Sequence, residues 1–281
     1  MGIIDKAREL RWRRAGHYRV PLPPAFTAAL QGATVLEVGG PSALFRPGGL
    51  LPVYPIATRV DGVQFAADTV WHGTQDDGDY RPDDRSGATG HMIVVDGASL
   101  DGVPDRAYDA VISSHVIEHF ANPLRALGNW RRVTRSGGHL LTVAPHASGT
   151  FDRRRPVTPL AHIVADHEAG IGEDDLTHLD ETLALHDLGR DPAAGDRETF
   201  EAMRRENVVH RVLHHHTFTG PSLVALLDHA GLQVDAVDVR FPHDIYVLGH
   251  WAEAPDNAAV LDRRHPAWRA SPFAADRALQ A

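Results

Sequence analysis

The sequence of 281 residues contains no cysteine, which excludes disulfide bonds, thiolate metal sites and a cysteine nucleophile. Lysine is almost absent as well, because Lys6 is the only one and arginine carries the remaining positive charge. With 28 Lys+Arg against 37 Asp+Glu, the net charge of −9 disfavours nucleic acid and anionic membrane as partners. No apolar run is long enough to cross a membrane, and residues 1–20 lack the apolar core of a signal peptide. These absences predict a soluble, cytoplasmic protein.

One short segment has the features of a ligand-binding turn. Residues 35–38 are apolar except for Glu37, which is typical of a strand buried in a parallel sheet, and Gly39-Gly40-Pro41 ends this strand. Glycine lets the backbone approach a ligand closely. A carboxylate at Glu37 suits a ligand with hydroxyl or amino groups better than a bare phosphate. We therefore predict a binding site at the carboxyl end of this strand, with a plain strand and turn as the alternative.

Further apolar runs of the same kind follow along the chain. They end in acidic or small residues and alternate with helical or polar stretches, among them a predicted loop at residues 72–90 and a predicted helix from Asn122 to about Thr134. This order predicts an α/β fold with a doubly wound, mostly parallel sheet. Asp61 follows Gly39 at a spacing close to that at which nucleotide-binding α/β units place the acid for the ribose hydroxyls. The runs lie at residues 59–65, 91–96, 108–115 and 139–144.

Several of these strand ends form motifs in a fixed order between residues 34 and 145. The motifs are Glu37-Val-Gly-Gly, Asp96-Gly-Ala, the run from Asp109 to His119, and Asn122-Pro-Leu followed by Arg135-Ser-Gly-Gly. In this order and spacing they resemble class I S-adenosylmethionine-dependent methyltransferases of the methyltransferase-11 type. The resemblance implies a Rossmann-like core, S-adenosylmethionine as the cofactor and an antiparallel last strand.

The resemblance also implies which residues hold the cofactor. Glu37 and the backbone of Gly39 and Gly40 would hold its methionine part, although Pro41 replaces the second glycine that is usual in this motif and removes a backbone N–H. Asp61 would bind the ribose hydroxyls. The remaining implied contacts are Asp96, Gly97 and Ala98 for adenine, and Ser113, Ser114 and His115 beneath the methionine and the sulfonium.

Histidine is the expected catalytic residue type, because a neutral imidazole can take a proton from an acceptor hydroxyl near neutral pH. Among the 19 histidines, His146 is the first choice because it directly follows the fifth predicted strand. His119 follows the fourth strand, and His215 lies in a run of three histidines. A divalent metal held by convergent histidines with Asp152, Asp174 or Asp175 is an alternative that is not expected.

The order of the elements divides the chain into a core with additions. We expect a helical insertion after the fifth strand that covers the substrate, and a final helix and hairpin that complete the sheet. The predicted parts are an N-terminal helical segment (1–30), the cofactor-binding core (31–147), the insertion (148–211), the C-terminal part of the core (212–251) and a tail (252–281).

The predicted activity is methyl transfer to a small molecule, either a natural product or a sugar, at oxygen before nitrogen or carbon. No nucleic-acid or membrane partner is expected, since the chain lacks a basic surface pattern. One alternative is a binding module or a non-methylating enzyme on the same fold, because fold does not settle function. The other is a nicotinamide-dependent oxidoreductase, which the missing Gly-x-Gly-x-x-Gly motif disfavours.

Overall fold

The computed structural model describes residues 22–278, in which one large sheet runs through the centre of the protein. Its strands form where the sequence is apolar and β-branched. The strands are β1 (Thr34–Val38), β2 (Arg59–Gln64), β3 (Asp68–Thr69), β4 (Gly73–Thr74), β5 (Gly78–Tyr80), β6 (Gly90–Val94), β7 (Tyr108–Ser114), β8 (Thr134–Pro145), β9 (Leu232–Arg240) and β10 (Asp244–Trp251).

Eight of these strands form the large sheet, in the order β5-β6-β2-β1-β7-β8-β10-β9. The other two, β3 and β4, form a separate two-stranded sheet. Neighbours from β6 to β8 are parallel, whereas β10 is antiparallel to both β8 and β9, and β5 is antiparallel to β6. The chain leaves β1 on one side toward β2 and returns on the other side at β7, so a crevice opens beside the carboxyl end of β1. The predicted fold is confirmed, including the antiparallel last strand.

Helices cover the sheet and fill the insertion. The helix predicted after Asn122 is confirmed as α2, since Asn122 accepts the backbone N–H of Arg125 at 2.9 Å and Pro123 stands in the first turn. The helices are α1 (Ala25–Ala28), α2 (Pro123–Val133), α3 (Leu160–Glu168), α4 (Leu179–Leu185), α5 (Arg197–Arg205), α6 (Asn207–His210), α7 (Gly220–His229), α8 (Ala258–Leu261), α9 (Pro266–Ala270) and α10 (Ala274–Arg277).

The apolar core has two parts because successive side chains of a strand point to opposite faces of the sheet. Leu36 belongs to the larger cluster, which includes Trp130 of α2 and the apolar side of α7. Val35 belongs to the other cluster, which includes Phe26 of α1. Inside the insertion, Leu179, Leu183, Ala194 and Phe200 form a third and smaller cluster.

The structure corrects several local predictions. The expected loop at residues 72–90 contains β4 and β5, and β5 pairs with β6 and extends the sheet by one strand. The predicted tail contains three short helices, and Trp268 and Asp276 in it are buried. The predicted helix at residues 4–15 lies outside the described residues. In the described part of the chain, no helix has the length and apolar character that spanning a membrane requires.

Candidate active site

A cavity of about 650 Å³ opens at the carboxyl ends of the central strands. One wall consists of strand ends, among them Gly39, Gln64, Asp96 and Ser114. The facing wall comes from the insertion and the residues that follow it, including Phe151, Arg204 and His214. Ligands of open α/β sheets bind at this edge, and the volume lies in the usual range for a small-molecule site. The structure therefore places a candidate active site where the strand-end motifs meet the insertion.

Glu37 stabilises the turn beside the cavity through buried hydrogen bonds. Its carboxylate is fully buried and accepts the Tyr54 hydroxyl at 2.8 and 3.0 Å and the backbone N–H of Ser42 at 2.9 Å. Burial raises the pKa of Glu37 to about 7, against the lowering effect of those two hydrogen bonds. A Cβ at Gly40 would lie 2.0 Å from the carboxyl carbon of Glu37, so this position requires glycine. Glu37 is not among the described residues that line the cavity, and it acts on the turn instead of facing a ligand.

The turn itself borders the cavity through Gly39 and Pro41. Gly39 has φ +74°, a conformation that favours glycine. Pro41 takes part in the cavity wall, and its missing N–H leaves one donor fewer in this turn.

Asp61 is not at the strand end, and its predicted ribose contact is wrong. It lies in the middle of β2, opposite Leu36, and is buried away from the cavity. Its carboxylate accepts the backbone N–H of His91 at 2.8 Å and the Tyr108 hydroxyl at 3.0 Å, so it joins β2 to β6 and β7. The residue at the end of β2 is Gln64, which lines the cavity and donates its side-chain amide to the Gly40 carbonyl.

Asp96 and Gly97, whose predicted role is contact with adenine, lie in the cavity wall, and Ala98 is buried behind them. The backbone N–H of Ala98 donates to Asp96 Oδ1 at 2.7 Å. Arg211 Nη2, from the end of the insertion, donates to Asp96 Oδ2 at 2.9 Å. Arg211 was not predicted as a site residue, and it links the strand wall at Asp96 to the insertion.

The three residues at the end of β7 divide between core and cavity. Ser113 is buried and bonds Thr142 Oγ1 at 2.9 Å, so it does not reach the cavity. Ser114 and His115 line the cavity. Burial lowers the pKa of His115, but its 3.0 Å hydrogen bond from Nε2 to Asp244 and the nearby carboxylates outweigh burial and raise it.

His146 is not a cavity residue, and its prediction as the first-choice base is wrong. Its ring is fully buried and stacks on Phe273 at a centroid distance of 4.0 Å. Nδ1 accepts the backbone N–H of Ser148 at 3.1 Å, so Nε2 carries the proton and donates to Asp276 Oδ1 at 3.1 Å. His146 therefore fastens the C-terminal helices to the core.

His215 is also wrongly predicted as a base. It is fully buried outside the cavity, and its Nε2 lies 3.2 Å from Asn207 Nδ2. The preceding residue, His214, lines the cavity instead. His214 Nδ1 lies 2.6 Å from Asp152 Oδ2, and Asp152 also pairs with Arg155 at 3.2 Å. Burial would raise the pKa of Asp152, but His214 and Arg155 hold it well below its usual range.

Of the three predicted bases, His119 alone lines the cavity, where it joins a cluster with Glu118 and His214. The His119 and His214 rings meet edge to face at a centroid distance of 4.6 Å, and burial lowers the pKa of His119 well below its usual range. Burial raises the pKa of Glu118, and neither of its carboxylate oxygens has a hydrogen-bond partner within residues 22–278.

This cluster combines proton-accepting groups with potential metal ligands. One ligand atom from each of its residues lies within 4.8 Å of the others. Two imidazoles and a carboxylate can bind a divalent metal with an open position, or they can accept a proton without one. Asp174 and Asp175, named as metal candidates from the sequence, are in none of the ligand clusters found among the described residues.

Gln64, Arg211 and His214 were not proposed as site residues from the sequence, and Asp152 was named only as a possible metal ligand. Gln64 lies inside the run 59–65 that was predicted as a strand, but the sequence alone did not show that the strand ends at this residue. From the run His214-His215-His216, His215 was predicted as a candidate base. Which of the three side chains faces the cavity depends on how the chain returns from the insertion. Asp152 lies 62 positions before His214, so only the fold brings them together.

The strand order, the glycine turn and the strand-end cavity are features of α/β folds that bind ligands at this edge of the sheet. A protein-family profile described as a methyltransferase domain matches residues 72–142. This segment of the chain is therefore similar to methyltransferase domains. The matched residues include β6, β7 and α2, and they therefore contain Asp96, Ser114 and His119.

Solved methyltransferase structures are similar to this chain at low sequence identity. One from Aquifex aeolicus is 12% identical, with coverage of 88% of this chain and 98% of its own and a TM-score of 0.43. One from Mesorhizobium loti is 13% identical, with coverages of 81% and 96% and a TM-score of 0.43. The 1,6-didemethyltoxoflavin-N1-methyltransferase of Burkholderia thailandensis, solved with 1,6-didemethyltoxoflavin and S-adenosylhomocysteine, is 12% identical, with coverages of 82% and 79% and a TM-score of 0.44. No curated protein matches the chain in sequence.

Proposed function

We propose that this chain transfers the methyl group of S-adenosylmethionine to a hydroxyl of a small molecule, with His214 as the proton acceptor. The observation that supports this most directly is the cavity, because it joins the strand-end residues of the cofactor motifs to a carboxylate-bound histidine that follows the insertion. The acceptor would be a natural product or a sugar, and oxygen is preferred to nitrogen or carbon because a hydroxyl must lose a proton on methylation.

The residues of the strand wall fit the cofactor. When bound, S-adenosylmethionine supplies an electrophilic methyl group on its sulfonium. The backbone at Gly39 and Gly97 allows close approach of a ligand. Asp96 would hold the adenine side. Gln64 would hold the ribose hydroxyls in place of the acid expected there, since its amide oxygen can accept from a hydroxyl while its nitrogen donates to Gly40.

His214 has the arrangement of an oriented general base. Asp152 accepts its Nδ1 proton at 2.6 Å, which leaves Nε2 with a free lone pair. The same bond fixes the orientation of the ring in the cavity wall. Since the pKa of Asp152 is held well below its usual range, Asp152 stays charged near neutral pH and stabilises the imidazolium that forms on proton transfer.

Positioning of the acceptor beside the methyl donor would supply the rest of the rate acceleration. Holding acceptor and methyl donor together can contribute about 7 to 11 kcal/mol, so a base is needed only to remove the hydroxyl proton. A base typically contributes about 100-fold to 10,000-fold. The cavity is lined on the insertion side by Phe151, Met203 and Arg204, which would choose the acceptor.

Two measurements test this proposal. Titration calorimetry should show binding of S-adenosylhomocysteine and no binding of NAD, and NAD binding without a response to S-adenosylhomocysteine would refute the cofactor assignment. Transfer of a labelled methyl group to hydroxyl-bearing natural products and sugars should then identify an acceptor. With that acceptor, His214→Ala and Asp152→Asn should lower kcat, while a Glu253→Gln control on the surface should not.

Chelator treatment separates a base from a metal in the cavity cluster. If His214 acts as a base, activity should survive removal of divalent metals. Activity that disappears with the chelator and returns with metal, together with equal losses in Glu118→Gln and His214→Ala, would refute the role of His214 as a base.

A further inference from the structure

A second group of histidines lies on the insertion, outside the cavity. His162 and Asp166 are one helical turn apart on α3, and His178 directly precedes α4. His162 Nε2 lies 3.1 Å from His178 Nε2 and 3.2 Å from Asp166 Oδ2. None of the three is among the described residues that line the cavity. The atoms that converge here are all good metal ligands.

Neither tautomer of the histidine pair gives His162 Nε2 a full hydrogen bond to both of its neighbours. If His162 Nε2 carries a proton, that single N–H must be shared between His178 Nε2 and Asp166 Oδ2. If His178 Nε2 carries the proton instead, the lone pair of His162 Nε2 faces the Asp166 carboxylate. A divalent cation would be attracted by all three atoms at once.

The spacing also agrees with metal coordination. Ligand atoms at about 2.0 to 2.2 Å from a tetrahedral ion are roughly 3.3 Å apart. The separations of 3.1 and 3.2 Å from His162 Nε2 are close to this value, and one ligand atom from each of the three residues lies within 4.8 Å of the others. From this geometry we propose that His162, Asp166 and His178 bind a divalent first-row transition metal ion such as Zn²⁺. This site does not depend on the proposed function.

Further histidines stand behind the proposed site. The ring of His178 meets those of His215 and His216 at centroid distances of 6.0 and 5.4 Å. Both rings are fully buried, and the Nδ1 atom of each has no hydrogen-bond partner within residues 22–278. Burial lowers the pKa of His216 to about 3, so this ring is neutral. Of the three consecutive histidines, His214 lines the cavity. His215 and His216 lie beside the proposed metal site.

A metal ion here would connect two segments of the insertion. It would join the exposed side of α3 to the start of α4, whose buried face belongs to the small cluster around Phe200. The apolar cluster of the insertion has only a few residues, and structural metal sites stabilise small units of this kind. The expected role is to hold the insertion over the cavity.

The test measures zinc binding by the full chain, without an affinity tag of histidines and after treatment with a chelator. Titration calorimetry with Zn²⁺ should show one bound equivalent, and the melting temperature should rise on zinc addition. His178→Ala and Asp166→Asn should each remove that equivalent and the rise in melting temperature. Binding of Co²⁺ should give the visible absorption of a tetrahedral site in the parent chain and not in these variants.

A matched control is His250→Ala. His250 is a half-exposed histidine paired with Asp235 at 2.9 Å, without a second histidine nitrogen at hydrogen-bond distance. This variant should keep the zinc equivalent. Binding of S-adenosylhomocysteine by His178→Ala should be retained, which separates a failure at this site from a failure of the proposed function.

Two outcomes would overturn the proposal. The first is zinc binding that persists in folded His178→Ala and Asp166→Asn but disappears in Glu118→Gln, which would place the ion in the cavity cluster. The second is the absence of any bound zinc in the parent chain.

Discussion

Replacing Glu37 with glutamine should make the stability of this protein less dependent on pH. In the native protein, burial raises the pKa of this carboxyl group from its usual 4.5 to about 7. Glutamine has the same shape, and its amide oxygen can still accept from the Tyr54 hydroxyl and the Ser42 N–H. The substitution therefore removes the titration while it keeps the turn.

The sign and size of the effect follow from proton linkage. Because the folded protein binds this proton more tightly than the unfolded chain, the contribution of Glu37 is fully present below about pH 4.5 and is lost as pH rises to about 7. The difference between 7 and 4.5 is 2.5, and at about 1.4 kcal/mol for each pH unit the loss is roughly 3 to 4 kcal/mol. Glu37→Gln should thus gain about that much free energy of unfolding relative to the parent between these pH values.

The assay is urea unfolding followed by tryptophan fluorescence, at several values from about pH 5 to about pH 8. Taking the difference between variant and parent cancels the titration of the other buried acids. Glu253→Gln, at an exposed glutamate, is the control and should show no such trend. Since Glu37 does not line the cavity, affinity for S-adenosylhomocysteine should change little.

A difference in unfolding free energy that stays constant with pH would refute the burial argument for Glu37. A large loss of cofactor affinity in a folded Glu37→Gln protein would instead restore the role that the sequence motif implies, in which Glu37 holds the methionine part of the cofactor.

Three further outcomes are expected. Asp96→Ala should weaken S-adenosylhomocysteine binding by about 1.5 to 3 kcal/mol in calorimetry, and an unchanged Kd in a folded variant would contradict its adenine role. His214→Ala should lower kcat by about 100-fold to 10,000-fold with cofactor affinity retained. His146→Ala should lower Tm and leave kcat unchanged. The reverse pattern would identify His146 as the base. Trp268→Ala should lower the free energy of unfolding in urea by about 3 to 5 kcal/mol, because the ring is fully buried and its indole N–H donates to the Val260 carbonyl. An unchanged unfolding midpoint would mean that the C-terminal helices contribute nothing to stability.

The sequence alone determined the sheet and the position of its ligand edge. Apolar runs, glycine turns and the helix start at Asn122 and Pro123 are local signals, because strand and helix formation depends on the spacing of nearby residues. Residues directly after a predicted strand were placed well for the same reason. Asp96, Gly97 and His115 all line the cavity, since the carboxyl ends of parallel strands meet at one edge.

The tertiary structure decided which polar side chains face that edge. Asp61 and Gln64 are three residues apart in one strand, and only the true end of β2 shows that Gln64 is the one at the cavity. His146 follows a central strand, but contacts with Phe273 and Asp276, more than 120 positions away, bury it. His214 and not His215 lines the cavity because neighbouring side chains point in different directions, and the direction is set by packing against the insertion. Such long-range contacts have no local signal in the sequence.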